Sequence, residues 1–308
     1  MNGKKTQSSG ALASLLALTA LSANSWAVEP QPSPSHHSPT EGLKGCVDFQ
    51  WMKVEGVSDR AAISIPIQVN GVALRAQLDT GANTSILYGN QPESRGWAKK
   101  GAPSFIAGLR LGGASWARRT FQINREMGGE ALGGTIGLDV FIGKLGVLDY
   151  PARRFCLLEP TDPAAVGLEA AHWQAATLRN GKLFLPVSLG EHTKVDAFFD
   201  TGSSVFPLFV DTPLWKELTG IDDPTTATTT ITGSAWGKPV AIYGSPTSKP
   251  FKIGDLSLGT PVVFTNPKDP TSLAAFPFPV SGFFGNAPFW DHVVDIDLTP
   301  EVRFGILE

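Results

Sequence analysis

The sequence has little net charge and lacks the common motifs of catalytic serine, zinc and nucleotide sites. A formal net charge of −3 in 308 residues gives no indication of a nucleic-acid partner or of a polybasic membrane-binding patch. There is no Gly-x-Ser-x-Gly elbow, no His-Glu-x-x-His pair and no phosphate-binding glycine loop. His172, His192 and His292 lack the spacing of metal ligands, so we expect neither a metal nor another cofactor.

Long apolar runs are also scarce, and the most extended one lies near the N-terminus. Two lysines precede this run at residues 11–23, and small residues follow it at Ser25 and Ala27. The pattern predicts a secretory signal peptide over residues 1–27, since the run is short for a membrane span; an uncleaved anchor is the alternative. We therefore expect a periplasmic or secreted protein with no membrane partner after cleavage.

Cysteine is limited to two residues, Cys46 and Cys156. In an oxidising compartment they can pair, closing a loop that stabilises the fold by roughly 4–5 kcal/mol on the chain-entropy model. The alternative is two unpaired small residues in the core. The pair count and the expected compartment favour the disulfide.

Glycine and proline, by contrast, are abundant. The 33 glycines and 24 prolines favour short strands joined by many turns over a helical fold. The polar, proline-rich residues 28–44 are interpreted as a disordered leader. The remaining length allows two lobes.

The rest of the chain contains two copies of one β-unit, found by comparing the sequence with itself. In each copy an alternating strand and a hairpin lead to Asp-Thr-Gly, and an apolar segment ending in glycine and a closing hairpin follow. We assign the copies to an N-terminal lobe, residues 45–160, and a C-terminal lobe, residues 179–308. Residues 161–178 are interpreted as a linker with a short helix.

The two Asp-Thr-Gly motifs are the candidate catalytic residues. They begin at Asp79 and Asp200, and each follows an apolar strand. One Asp can be an ordinary turn residue, but two in matched positions are harder to obtain by chance. Two neighbouring carboxyl groups cannot both ionise readily, so one can take a proton from water while the other gives one to a carbonyl oxygen.

This arrangement resembles the pepsin/retropepsin superfamily of aspartic peptidases, in the form of two retropepsin-like halves in one exported chain of bacterial type. The resemblance implies an all-β, bilobal acid-protease fold with two β-barrel-like lobes related by a pseudo-twofold axis. It also implies an aspartic endopeptidase that acts on a peptide or protein substrate. Because both halves are in one chain, we expect a monomer.

The resemblance further implies roles for the residues around the two aspartates. Threonines would link the two loops, and glycines would allow close approach of the backbone to the carboxylates. Ser203 would lower the pKa of a catalytic carboxylate, whereas Ala82 lacks that hydroxyl and predicts activity at mildly acidic pH. The supporting residues expected in this way are Thr80, Gly81, Ile136, Gly137, Thr201, Gly202, Ser203, Phe284 and Gly285; the segment at 135–137 departs from the family pattern in beginning with a threonine.

The second copy is longer than the first between its aspartate and its apolar-apolar-Gly segment. The extra residues predict a hairpin with strands at 228–234 and 240–244, which we interpret as a flap over the site. Trp236 and Tyr243 are the candidate covering residues. The corresponding residues of the first copy, 89–103, are too short and too polar for a comparable hairpin.

One alternative function remains open from sequence. The chain could be a peptide-binding or inhibitor-like module that kept the fold but lost turnover, although both Asp-Thr-Gly motifs are intact. Four other aspartates, Asp139, Asp149, Asp295 and Asp297, are interpreted as turn or surface carboxylates.

Overall fold

The computed structural model describes residues 38–127, 132–160, 171–190, 193–235, 238–268, 273 and 276–307. The predicted signal peptide, residues 161–170 of the predicted linker, and Trp236 lie outside these described residues. Within them, no helix has the length and apolar character needed to cross a membrane.

The described residues form mainly β-strands. Those of the first half are β1 (Cys46–Asp48), β2 (Gln50–Val54), β3 (Ser58–Val69), β4 (Val72–Leu78), β5 (Ile86–Tyr88), β6 (Ser104–Leu111), β7 (Ala114–Asn124), β8 (Gly134–Ile136), β9 (Leu145–Asp149) and β10 (Arg154–Leu158). Those that follow are β11 (Gln174–Ala175), β12 (Thr177–Arg179), β13 (Lys182–Leu189), β14 (Thr193–Phe199), β15 (Leu208–Val210), β16 (Thr229–Ala235), β17 (Lys238–Pro246), β18 (Phe251–Ile253), β19 (Leu256–Ser257), β20 (Val262–Thr265), β21 (Gly282–Phe284), β22 (Val293–Asp297) and β23 (Arg303–Leu307). Two short helices, α1 (Gln91–Ser94) and α2 (Thr212–Thr219), follow β5 and β15.

The first half forms a seven-stranded sheet in the order β2-β3-β4-β8-β5-β7-β6, and β6 also pairs with β3. This last pairing closes the sheet on itself, which gives the barrel-like lobe that the resemblance implied. The β3–β4 hairpin turns at Asn70 and Gly71, both with positive φ, as a two-residue Asn-Gly turn requires. This turn fixes the register of β4 against β3, and β4 ends at Leu78, directly before Asp79.

The second half repeats this plan in a ten-stranded sheet, in the order β16-β17-β20-β15-β21-β14-β13-β18-β19 with β12 paired to β13. A second Asn-Gly turn, Asn180–Gly181, joins β12 to β13, and it also has positive φ at both residues. The β16–β17 hairpin pairs Thr229 with Gly244 through to Ala235 with Lys238, so the hairpin predicted from sequence is present. It lies between α2 and β18, where the first half has only α1 and a short connection.

A third sheet joins the two halves in the order β1-β10-β9-β22-β23-β11, and we call it the shared sheet. Its central pair, β9 with β22, brings the closing hairpins of both halves side by side. One face of this sheet continues the large apolar core, which includes Phe155 from the first half and Val294 from the second. The disulfide between Cys46 and Cys156 forms and ties β1 to β10, which pair directly at these two residues.

Three sequence interpretations are corrected by this arrangement. Residues 38–44, taken as the end of a disordered leader, pack against the protein: Thr40 is buried and its hydroxyl donates to the Asp149 carboxylate at 2.8 Å. Residues 171–178, taken as linker, supply β11 and most of β12 because they pair with β23 and β13.

The third correction concerns the aspartates taken as turn or surface residues. Asp149, Asp295 and Asp297 are buried, because β9 and β22 lie at the centre of the shared sheet. Asp139 is half-buried, and it forms an ion pair with Arg119 and accepts a hydrogen bond from Ser85.

Candidate active site

The two aspartates occupy equivalent places, each directly after the second strand of a hairpin. Asp79 follows β4 and Asp200 follows β14, and each backbone N–H donates to a carbonyl of a parallel neighbouring strand. The acceptors are Ile136 O at 3.0 Å and Phe284 O at 2.9 Å. The two apolar-apolar-Gly segments therefore support the two Asp-Thr-Gly loops.

The glycines that end these supporting segments have no room for a side chain. A Cβ at Gly137 would lie 2.7 Å from Ala82 O, and one at Gly285 would lie 2.0 Å from Ser203 O. Such contacts are shorter than real Cβ atoms tolerate, so glycine lets each supporting segment pack directly on an Asp-Thr-Gly loop.

Two threonines connect the loops across the pseudo-twofold axis. Thr80 N donates to Thr201 Oγ1 at 2.9 Å, and Thr201 N donates to Thr80 Oγ1 at 3.0 Å. Each hydroxyl in turn donates to a carbonyl of the opposite half, Thr80 to Phe199 O at 2.9 Å and Thr201 to Leu78 O at 2.8 Å. Both threonines are buried, so these four reciprocal bonds lock the two loops in one arrangement.

The loops bring the carboxyl groups of Asp79 and Asp200 together. A Cβ at Gly81 would lie 2.4 Å from Cγ of Asp200, and one at Gly202 would lie 2.6 Å from Cγ of Asp79, so each glycine lies against the carboxyl group of the opposite half. The two carboxyl groups lie close enough to shift each other's pKa, and both residues are nearly inaccessible, at 3% and 1% exposure.

Burial is the main cause of the perturbed acidity of this pair. It raises the pKa of Asp79 well above the ordinary value, and the negative charge of Asp200 raises it further, while Lys182 opposes the shift. Burial also raises the pKa of Asp200, but hydrogen bonding from Ser203 and the charge of Lys182 counteract the effect. Two buried carboxyl groups in contact titrate as one unit that holds a proton over a wide pH range.

The hydrogen bonds around the pair are unequal. Asp200 accepts from Gly202 N at 2.9 Å and from Ser203 Oγ at 2.8 Å. Asp79 accepts from Ala82 N at 3.0 Å, and Ala82 offers no hydroxyl. Because donors favour the ionised form, Asp200 is the better site for the negative charge and Asp79 for the shared proton.

Several buried polar residues of the site were missed by the sequence analysis. Tyr88 in β5 hydrogen-bonds through its hydroxyl to Thr135, the residue that departs from the family pattern. Asn286 donates to Thr201 O at 3.1 Å and accepts from the Tyr150 hydroxyl at 2.6 Å, which links the second loop to the end of β9. Each partner is distant in sequence, so no local pattern could have indicated these pairs.

Lys182 was also missed, although it is a buried cation beside the two carboxyl groups. It is 1% exposed, and its ammonium donates to the carbonyl oxygen of Gly81 in the first Asp-Thr-Gly loop. The one available signal was a lysine directly before the apolar run at 183–185, and such a lysine is more often a solvent-exposed residue at the start of a strand.

The structure places one of the two candidate flap residues. Tyr243 lies in β17, is half-buried, and pairs with Thr230 of β16 and Thr265 of β20. Trp236 lies outside the described residues.

Comparison with known proteins gives structural neighbours without sequence relatives. No family model matches the chain, and no curated protein matches it in sequence. Among solved structures, an aspartic proteinase from Irpex lacteus matches with a TM-score of 0.50 and 11% identity, over 85% of this chain and 96% of the neighbour. Conglutin gamma, a basic 7S globulin from lupine seeds, matches with a TM-score of 0.47 and 9% identity, over 85% and 94%.

At this level of identity the Irpex lacteus likeness bears on the fold alone. It covers nearly the whole neighbour, and this chain is built of strands in three sheets within the described residues. The chain therefore has the all-β, bilobal fold of pepsin-like proteins.

Proposed function

We propose that the protein is an aspartic endopeptidase that hydrolyses peptide bonds with a water molecule activated between Asp79 and Asp200. The observation that carries this proposal is the pair of buried carboxyl groups, one from each half, each lying against the Asp-Thr-Gly loop of the other. A structural aspartate at a strand end would not need a second, equivalent aspartate against it, because such a pair is costly to bury.

The unequal hydrogen bonds assign a role to each carboxyl group. Asp200, ionised and held by Ser203 and Gly202, takes a proton from the water as its oxygen attacks the peptide carbonyl carbon. Asp79, protonated, gives its proton to the carbonyl oxygen, which forms a neutral tetrahedral diol. The proton now on Asp200 passes to the departing amine nitrogen while the C–N bond breaks, and a diol proton returns to Asp79, so the pair regains its original state.

The fold supports an extended peptide as the substrate. A chain laid between the two lobes presents one carbonyl to both carboxyl groups, whereas a bulky folded region cannot approach residues that are almost fully buried. The β16–β17 hairpin is the part of the second half that has no counterpart in the first, and we assign it the role of covering the bound peptide. The disulfide between Cys46 and Cys156 agrees with function in an oxidising compartment outside the cytoplasm.

The proposal is tested by substituting each aspartate by its isosteric amide. Wild type, Asp79→Asn and Asp200→Asn are incubated with an unfolded, reduced protein substrate from pH 3 to pH 8, and the new amino termini are quantified. Wild type should cleave with a bell-shaped dependence on pH, and each variant should lose at least about a thousandfold in rate, because the remaining carboxyl group cannot act as both acid and base. Asp255→Asn, an exposed position in the turn between β18 and β19, is the matched control and should cleave like wild type.

A binding measurement separates the peptidase from an inactive peptide-binding module. A peptide with a hydroxyethylene group in place of the scissile bond imitates the tetrahedral diol, so an active enzyme should bind it more tightly than the matching amide peptide. If correctly folded wild type binds both peptides equally and cleaves nothing at any pH, the peptidase proposal is wrong and the binding module replaces it. Equal loss in the Asp255→Asn control would show that the assay reports folding and not catalysis.

A further inference from the structure

Lys182 breaks the pseudo-twofold symmetry beside the paired aspartates. Phe184 of β13 pairs with Phe198 of β14, and the same register continued by two residues sets Lys182 opposite Asp200. In the first half, Ser64 pairs with Gln77, and the same continuation sets Ala62 opposite Asp79. One half thus has a small apolar residue where the other has a cation.

The surroundings of Lys182 leave its charge few partners. Its ammonium donates to Gly81 O in the opposite half and lies 5.9 Å from the centre of the Phe198 ring, and the side chain is excluded from water. The titratable groups that act on it are Asp79 and Asp200, and the pKa of Tyr88 of β5 in the first half is raised by burial and by the charge of Asp79. Arg179, on the same hairpin, is paired with Asp196.

A lysine buried to this extent is unfavourable unless a negative charge compensates it. The paired carboxyl groups, which share one proton, carry a single negative charge between them. Lys182 and the pair together are then electrically neutral.

We propose that Lys182 is a positioning residue of the site, which ties the first Asp-Thr-Gly loop to the second half through Gly81 and whose ammonium is the counter-ion of the charge shared by Asp79 and Asp200. This inference rests on the proposed function for its catalytic consequence, but the charge balance it describes belongs to the folded protein in either case.

The counter-ion favours the singly ionised pair over the fully protonated one, because full protonation leaves the buried ammonium uncompensated. It also makes the doubly ionised pair less unfavourable than it would be without a nearby cation. Both effects move the two limbs of the pH–rate profile toward lower pH. The lysine therefore counteracts the burial and the missing hydroxyl at Ala82, which act in the opposite direction.

Three substitutions separate the charge of Lys182 from its hydrogen bond. Lys182→Gln keeps a donor for Gly81 O and removes the charge, Lys182→Met removes both, and Lys182→Arg keeps both. The pH dependence of kcat/KM is measured for each on one peptide substrate. Glutamine and methionine should both shift the profile toward alkaline pH, so that the ratio of kcat/KM at pH 7 to kcat/KM at pH 4 rises by about tenfold or more, while arginine should retain the wild-type profile.

A structural role alone would give another pattern: methionine would lower kcat at every pH, and glutamine would leave the shape of the profile unchanged. That result would overturn the counter-ion proposal. Equal shifts of the profile in the arginine and glutamine variants would overturn it as well, since these two side chains differ in charge.

A second measurement does not depend on catalysis. The melting temperature of Lys182→Gln minus that of wild type is followed from pH 4 to pH 8. At acid pH the wild type buries an uncompensated ammonium and glutamine should be the more stable, whereas at neutral pH wild type should be the more stable, so the difference should fall by several degrees and change sign as pH rises. A difference that is constant with pH overturns the proposal, and this outcome is distinguishable from a failure of the peptidase proposal, which would show only as absent cleavage.

Discussion

At the scale of single residues, the buried carboxyl group of Asp295 lacks, within the described part of the chain, the nearby cation that Asp79 and Asp200 have in Lys182. It lies in β22 at the centre of the shared sheet with 0% exposure, and neither of its oxygens has a hydrogen-bond partner among the described residues. Burial, followed by the negative charge of Asp297, raises the pKa of Asp295 to about 8. The group is therefore protonated in the folded protein at neutral pH and below.

Asp295 should make the fold less stable as pH rises. The unfolded chain releases this proton near the ordinary value of 3.8, and the folded chain holds it until about 8. Between these values the folded state binds more protons, so the stability that Asp295 contributes is fully present below about pH 4 and is lost as pH rises toward 8.

Asp295→Asn should remove this pH dependence. In denaturant unfolding at pH 4 and at pH 8, the variant should gain more than about 1 kcal/mol over wild type between the two pH values, because the amide does not titrate. An equal difference from wild type at both pH values would contradict the assignment of a raised pKa to Asp295.

The two aspartates could be predicted from sequence, but the polar residues that surround them could not. Asp79 and Asp200 could be found because each stands in a motif of its own strand. Tyr88, Asn286 and Lys182 could not, because each acts through a partner more than 40 residues away and its local sequence is ordinary. The threonine at 135 was noticed as a departure, but its explanation, a hydrogen bond to Tyr88, needed the parallel pairing of β5 and β7 and the contact of β5 with β8.

At the scale of elements, hairpins were predictable and the shared sheet was not. Alternating apolar residues and an Asn-Gly turn fix the register of the β3–β4 hairpin, and the β16–β17 hairpin likewise pairs residues that are close in sequence. The pairing of β9 with β22 joins residues nearly 150 positions apart, and that of β11 with β23 joins about 130. Such pairings are set by the packing of both halves, and sequence periodicity does not indicate which distant strands pair.

The β16–β17 hairpin can be shortened without disturbing the rest of its sheet. β16 is the edge strand of the ten-stranded sheet and pairs with β17 alone, and Thr232 faces Ala241 across the hairpin. Replacing residues 233–240 by Asn-Gly would join these two positions with a two-residue turn and keep the buried Ile242.

If the hairpin covers bound peptide, the shortened protein should keep its melting temperature within about 3 °C and lose at least about tenfold in kcat/KM, mainly through a higher KM. Steady-state kinetics on a peptide and a thermal melt together check this. A shortened protein with unchanged kinetics would exclude a covering role, and one that melts much earlier would show that the hairpin is structural. Lengthening the β18–β19 turn at Asp255 by two glycines is the control for loop changes elsewhere in the same sheet.

At the scale of the whole molecule, the site exists only where the halves meet. Each half contributes one aspartate, one threonine and one glycine to the site. The shared sheet and the Tyr150–Asn286 hydrogen bond connect the two halves as well. The halves are therefore expected to unfold together, since separating them would break the reciprocal threonine bonds and expose the core that both build.

The threonine bonds give this coupling a direct test. Thr80→Val keeps the shape of the side chain but leaves Phe199 O without its donor and Thr201 N without its acceptor, both in the buried centre of the protein. An unpaired buried backbone group costs about 1–3 kcal/mol, so with two such groups the free energy of unfolding should fall by roughly 2–6 kcal/mol in denaturant titration. The loops would also lose their fixed relation, so kcat should fall more than KM rises.

Thr80→Ser is the matched control, because it keeps the hydroxyl and loses one methyl group; it should cost about 1 kcal/mol and retain most of the activity. The pseudo-twofold predicts the same contrast at Thr201, where valine would leave Leu78 O and Thr80 N unpaired. If valine and serine destabilise equally at both positions, packing and not hydrogen bonding joins the loops. If valine at either position produces two separate unfolding transitions, the halves are held together mainly by these four bonds, and the shared sheet contributes less to their union than its central position indicates.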